Sequence, residues 1–232
     1  MSREDEYTVI QNELRKKISL ADSFIKDDIA SIAGVDLAYW VKNEEEWAVC
    51  CIVVIDRSTH EIIEKKHFSG KIEVPYMPGF LAFRELPLVL KTAELLENIP
   101  DIYMFDGNGY LHPRHMGIAT HASFYLNRPT IGVAKTYFRV EKDLDFIEPD
   151  DASGSYTDII AHGEVYGRTL RTHTGVRPVF VSVGNNISLD TACELVLELT
   201  DKESRIPIPT RFADLETHII RRDLEKVAHN AI

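Results

Sequence analysis

The stretch "MFDGNGYLHPRHMGIATHASF" (residues 104–124) continues the apolar run "DIYMF" without a break. The run reads as a buried strand and "DGNG" as the turn that ends it. That strand closes on a carboxylate, Asp106, and the turn is followed by three imidazoles, His112, His115 and His121. Such a segment is either a loop over a core or a reaction centre. What the neighbouring strands bring to the same place decides between them.

Outward from Asp106 the chain alternates between strand and helix patterns. Tyr7, Ile10, Leu14 and Ile18 recur at spacings of three and four and predict a helix over residues 5–20. Three strands follow: "SIAGVDLAYW" (31–40), "WAVCCIVVID" (47–56) and "EIIEKKHFSGKI" (61–72). "VPYMPG" (74–79) is a loop punctuated by proline and glycine, and "FLAFRELPLVLKTAELLENI" (80–99) reads as a helix. Residues 113–126 predict a short helix, "PTIGVAK" (129–135) a strand, and "TDIIAHG" with "EVYGRTLRT" (157–172) a hairpin. "PVFVSVG" (178–184) is the last strand. Two helices close the chain, one after Ser188 as N-cap and one over 211–229. Three successive strands and then alternating elements predict an α/β fold: a mixed sheet flanked by helices, as a single domain over residues 1–232.

Composition bounds the function. Hydrophobic residues at 44% and charged residues at 27% are ordinary for a globular protein. The opening "MSREDEY" lacks the apolar stretch of a secretory signal. The longest apolar run, "AVCCIVVI" (48–55), is far short of the ~20 residues that span a bilayer. Cys50, Cys51 and Cys193 show no framework spacing, so reduced, packed thiols are expected. These features predict a cytoplasmic protein with no membrane partner. A net charge of −11 argues against a broad nucleic-acid surface, because phosphate binding leaves a basic footprint. Acidic residues gathered at a divalent-metal site escape that objection, since bound metal reverses their sign. Local basic groups also occur, at Arg128, Lys135, Arg139 and Lys142 and at Arg168, Arg171 and Arg177.

Asp36 interrupts an otherwise apolar strand, where a carboxylate must be paired or hold a cation. Asp106 ends another strand, and Glu85 lies near the start of the helix between them. If the two strands are neighbours, one explanation serves all three: hard oxygen ligands for Mg²⁺ or Mn²⁺ bound together with a phosphate. A salt bridge for Asp36, a turn-forming Asp106 and a capping Glu85 are the structural alternative. His112, His115 and His121 also permit zinc, but no cysteine joins them and the nearby oxygens favour a harder ion.

Four blocks carry a resemblance: "GVDLAY" (34–39), "VPYMPGFLAFRELP" (74–87), "FDGNGYLHPRHMGIATHASFYLNRPTIGVAKTYF" (105–138) and "PIPTRFAD" (207–214). In order and spacing they resemble the signature blocks of the endonuclease V family, over about residues 31–216. The resemblance implies a ribonuclease H-like fold and a Mg²⁺-dependent endonuclease, with Mn²⁺ as a substitute, acting as a monomer. Its implied reaction is hydrolysis of a phosphodiester near and 3′ of a hypoxanthine nucleotide, with DNA and RNA both standing as substrates. It implies Asp36, Glu85, Asp106 and Asp214 as metal ligands, His112 near the scissile phosphate and Lys135 in contact with it. Asp214 carries a further alternative, a helix cap, and His112 another, a partner behind a carboxylate.

The same resemblance gives "VPYMPG" a role. Tyr76, held outward between two prolines, is implied as a wedge that fills the space left by a flipped base. Gly79, Gly107 and Gly109 would then let backbone groups approach that base, with Leu81 and Ile118 as apolar walls. Hypoxanthine presents an O6 acceptor and an N1–H donor, the reverse of adenine, so fixed backbone groups can separate the two.

Overall fold

The computed structural model describes residues 1–229. Helix α1 (Arg3–Arg15) opens the chain with a reciprocal cap in which the Ser2 hydroxyl accepts from the Asp5 amide and the Asp5 carboxylate accepts from the Ser2 amide. Strands β1 (Ser31–Lys42), β2 (Glu45–Asp56) and β3 (Ile62–Lys71) form an antiparallel meander. Then follow α2 (Leu81–Ala93), β4 (Ile102–Phe105), α3 (Ile118–Leu126), β5 (Thr130–Ala134), β6 (Tyr156–Ala161), β7 (Glu164–Leu170), β8 (Val179–Asn185), α4 (Leu189–Glu198) and α5 (Ile208–His229). The strands make one sheet in the order β3-β2-β1-β4-β5-β8-β7-β6, parallel only among β1, β4 and β5. This is the predicted mixed α/β sheet flanked by helices.

Both faces of the sheet centre are covered, so β2 is buried without interruption from Ala48 to Ile55. Alternation still sorts its side chains. Ile32, Ile102, Met104, Ile131 and Val133 face α4 and α5, whereas Ala33, Val35, Tyr103 and Phe105 face α2 and α3. Cys50, Cys51 and Cys193 are buried and unbridged, as expected.

Three expected helices end early or start late, and the last helix of the chain starts at Ile208 rather than residue 211. The first helix ends at Arg15 rather than residue 20. The helix expected over 80–99 stops at Ala93, because the Glu64 carboxylate on β3 accepts the backbone N–H groups of Glu97 and Asn98 and holds that segment in a turn. The helix expected from residue 113 starts only at Ile118. Gly117 caps it against Gly109, so tightly that a Cβ there would meet the Asn108 carbonyl oxygen at 2.2 Å.

Candidate active site

The sheet face under α5 assembles the charged site. Parallel pairing sets Val35 beside Phe105 and Phe105 beside Gly132, so the ends of β1, β4 and β5 line up. Along that face Ile32 is followed by Gly34 and Asp36, Met104 by Asp106, and Val133 by Lys135. The Asp106 amide extends the ladder by donating to the Val35 carbonyl at 3.1 Å. Helix α5 supplies Asp214. Its first turn lies directly on β1, where a Cβ on Gly34 would meet the Pro209 backbone at 2.0 Å. Only glycine admits that approach.

Carboxylate oxygens of Asp36, Asp106 and Asp214 all lie within 4.8 Å of one another. The Lys135 ammonium sits among them, 2.6 Å from Asp106 and 3.0 Å from Asp214. The Thr217 hydroxyl, one turn further along α5, donates to Asp36 at 2.8 Å. Two of the three carboxylates therefore share one lysine in a partly buried place, and the third, Asp36, is held by the Thr217 hydroxyl. Burial, then the charge of Asp106, pushes the Asp36 carboxyl up to about 7. Burial also raises Asp106, against the pull of Lys135. An excess of negative charge on hard oxygens suits a divalent cation, which relieves the repulsion one lysine leaves. The residues fit such an ion.

Glu85 stands apart from this group. It rises from α2 on the opposite face of the sheet, and its carboxylate accepts the Tyr39 hydroxyl. Burial pushes it up to about 7 against that hydrogen bond, and the charge of Asp106 contributes in the same direction. Glu85 thus approaches the strand ends from below while the three aspartates converge from above.

His112 lines a different place. Its Nδ1 lies 3.1 Å from the Arg114 amide and 3.3 Å from the Met116 amide, both donors, so Nδ1 accepts and Nε2 carries the proton. That Nε2 donates to the Gly79 carbonyl at 3.1 Å. Burial, and then the nearby Arg114 guanidinium, lower the imidazole to about 3, which keeps it neutral. With Tyr76, Gly79, Leu81, Asn108 and Ile118 it lines a pocket that opens to solvent. Gly107 stands behind the wall, where a Cβ would meet Ile118 Cγ2 at 2.8 Å. Neither α2 nor α3 has a side-chain cap; both helices start beside this pocket, where the Phe83 amide donates to the Phe80 carbonyl and the Ala119 amide to the Asn108 backbone carbonyl, each at 3.1 Å. The Asn108 side-chain amide oxygen, Oδ1, is buried there without a hydrogen-bond partner. Tyr76, at the mouth, is 62% exposed.

The zinc alternative fails on geometry. His115 stacks on Tyr110 with ring centroids 3.9 Å apart, and His121 meets the edge of Phe83 at 4.7 Å. Among the described residues, only the three aspartates form a group able to hold a metal. Of the two basic stretches, Arg128, Arg139, Lys142 and Arg177 are exposed, whereas Arg168 and Arg171 are engaged within the fold. Arg168 pairs with Asp158 and Asp190, and Arg171 clamps Glu148 and the carbonyls of Pro149 and Asp150. Sequence reasoning missed Tyr39, Thr217 and Arg205, the last donating to the Lys135 carbonyl at 3.2 Å and to that of Pro178 at 2.7 Å. Thr217 and Arg205 lie outside the quoted blocks and Tyr39 only closes one, so their roles become visible when the sheet brings them beside acidic residues.

Comparison with known proteins bears on both places. A sequence profile described as Endonuclease V matches residues 12–215. The chain is 58% identical over 219 residues to a protein named Endonuclease V from Bacillus thuringiensis subsp. konkukian, covering 94% of this chain and 93% of the relative. The crystal structure of the Bacillus subtilis endonuclease V is 53% identical, with a TM-score of 0.94 over 97% of this chain and 95% of that one. Ciona intestinalis endonuclease V, solved in complex with a 24mer DNA containing an inosine followed by a ribo-adenosine, is 30% identical. Its TM-score is 0.80, over 96% of this chain and 98% of that one.

Proposed function

The chain belongs to the endonuclease V family, and on that premise we propose that it hydrolyses a phosphodiester bond near and 3′ of a hypoxanthine nucleotide. The substrate is DNA, with RNA as a second substrate, and the working ion is Mg²⁺, for which Mn²⁺ substitutes. One observation carries this reading: a pocket fit for a base and an acidic group fit for a cation are separated only by the turn after β4.

Asp36, Asp106 and Asp214 hold the ion, with Glu85 completing the set from the other face of the sheet. When bound, a divalent cation supplies an activated water and neutralises charge growing on the phosphate. Lys135 holds a fixed positive charge at the same strand ends, where it meets a phosphate oxygen. Thr217 orients Asp36 through its hydroxyl. His112 works through the pocket: neutral and fixed at both nitrogens, it shapes the floor on which the base rests and borders the phosphate next to it.

The remaining N–H groups at the starts of α2 and α3 face acceptors such as the O6 of hypoxanthine, and the unpartnered Asn108 Oδ1 awaits a donor such as N1–H. Adenine reverses both groups and leaves buried polar atoms unpaired. Gly79 and Gly107 give the backbone room, Leu81 and Ile118 wall the base, and Tyr76 stacks where the base has left the strand. The protein acts as a monomeric single domain in the cytoplasm; no described helix is long and apolar enough to cross a membrane.

Cleavage of matched inosine and adenosine strands, as DNA and as RNA, tests this with Mg²⁺, Mn²⁺ or EDTA. We expect metal-dependent cutting of the inosine strands only. Binding of inosine strands without cleavage in any metal would point instead to a silent reader of the base.

A further inference from the structure

Helix α1 buries one side chain, and that side chain is polar. Gln11 is fully buried while the rest of the helix is exposed or only partly covered. A helix that merely covers a core turns apolar residues inward, and a buried amide is tolerated only when its hydrogen bonds are made. Both ends of Gln11 are engaged. Its Nε2 donates to the Gly79 carbonyl at 3.1 Å, and its Oε1 accepts from the Arg114 Nε.

Gly79 is an unusual target. Its carbonyl accepts from three side chains: Gln11, His112 at 3.1 Å and the Arg114 Nη2 at 2.8 Å. On the other side of the same peptide plane, the Phe80 amide donates to the Met77 carbonyl at 3.0 Å. That plane is therefore held at both its oxygen and its nitrogen. It joins the end of the Tyr76 loop to the first turn of α2, and Gly79, Leu81 and Tyr76 all line the pocket. Gly79 has a φ of +80°, and a Cβ there would meet Arg114 Nη2 at 2.8 Å, so glycine and the guanidinium are fitted to one another. Phe80 stacks beneath Arg114 at 4.4 Å, and Tyr7 of α1 stacks on Phe83 of α2 at 3.8 Å.

We infer that Gln11 is a positioning residue for base discrimination: from α1 it fixes the Gly79 peptide, and through it the pocket wall and the Tyr76 loop. Gln11 lies one residue before the stretch matched by the family profile. The inference rests on the reading of this pocket as the base site. Gln11 touches neither the aspartates nor Lys135, so its loss loosens recognition and leaves the hydrolytic site as it is.

The test compares Gln11→Leu and Gln11→Glu with the unaltered protein, on inosine and adenosine strands in Mg²⁺. Gln11→Leu removes both hydrogen bonds without leaving a cavity. Gln11→Glu keeps the acceptor for Arg114 but sets a carboxylate oxygen against the Gly79 carbonyl, so it separates action through Gly79 from action through Arg114. Melting temperatures are measured for both, and either variant alone carries the test if the other fails to fold. In each, the ratio of inosine to adenosine cleavage at subsaturating protein falls about tenfold, the scale of one hydrogen bond at a discriminating site. The inosine rate at saturation changes by less than about threefold, far below the loss when a group acts in the transition state. A ratio unchanged in either folded variant, or an equal loss on both strands, overturns the role of Gln11. A ratio near one in the unaltered protein overturns the base-pocket reading, and this inference with it.

Discussion

Each candidate side chain on the strands beneath α5 ends a pattern begun by apolar neighbours. Ile32, Met104 and Val133 lie in the core beneath α5, and two to four residues later the same face carries Asp36, Asp106 and Lys135. Asp106 is the clearest test of what those charges are for. Burial and the neighbouring Asp214 hold its carboxyl above the ordinary range, and Lys135 offsets only part of this. The charged form is therefore a burden to the fold at neutral pH. Asp106→Asn keeps the shape, removes that burden, and leaves Lys135 its contact with Asp214. Cleavage of an inosine strand in Mg²⁺ should fall by at least about a hundredfold, ~3 kcal/mol of barrier. The melting temperature without metal should hold or rise. Full cleavage by a folded Asp106→Asn protein would remove this residue from the metal site.

The Tyr76 loop acts as a unit. Pro75 and Pro78 bracket it, Gly79 anchors it, and the Tyr76 ring stands 62% exposed at the pocket mouth. If that ring stacks in place of a flipped base, Tyr76→Ala should weaken binding of an inosine strand by roughly 1–3 kcal/mol, the range for a base on an aromatic ring. Fluorescence anisotropy on inosine and undamaged strands measures it, and equal losses on both would reduce Tyr76 to a general surface contact. Elements differed in how far the sequence revealed them. Strand β2 was legible because burial on both faces leaves an unbroken apolar run, and β1 and β8 because their apolar runs are broken only at isolated positions. The end of α2 was not, because Glu64 on another strand ends it, and no local pattern records a distant carboxylate. Asp36 and Asp106 were legible as charges inside apolar strands. That Glu85 would stand on the other face of the sheet depends on which face α2 covers, a property of the whole sheet. Gln11 was hidden most completely, since a glutamine on an exposed helix looks like solvent-facing surface.

Across the whole molecule, charge and burial set opposing demands. Net charge is −11, and many of the arginines are spent on the protein's own carboxylates, as in Arg57 with Glu198 and Arg84 with Glu46. On the proposed reading, attraction for a phosphate strand centres on the ion that the three aspartates hold. The buried titratable groups divide in the same way. Asp36 and Glu85 are raised to about 7, so they favour the folded state at low pH and that contribution fades as pH rises toward 7. His112 and His121 are lowered by burial, to about 3 and about 4, so the unfolded chain takes up protons first as pH falls below 6.5. Their contribution is present above that pH and is lost toward acid. His121 isolates the effect, because neither of its ring nitrogens has a hydrogen-bond partner and it touches no part of the acidic group. Between pH 7 and pH 5 its neutral burial should remove about 2 kcal/mol of stability, or ~4–8 °C of melting temperature in a chain of this size. His121→Phe keeps an aromatic ring against Phe83 and cannot take up the proton. Its melting temperature in EDTA should match the unaltered protein at pH 7 and exceed it by that margin at pH 5. Parallel pH profiles for the two proteins would mean that His121 is charged or reached by water in the folded state, and the acid sensitivity would then belong to His112 and the surface.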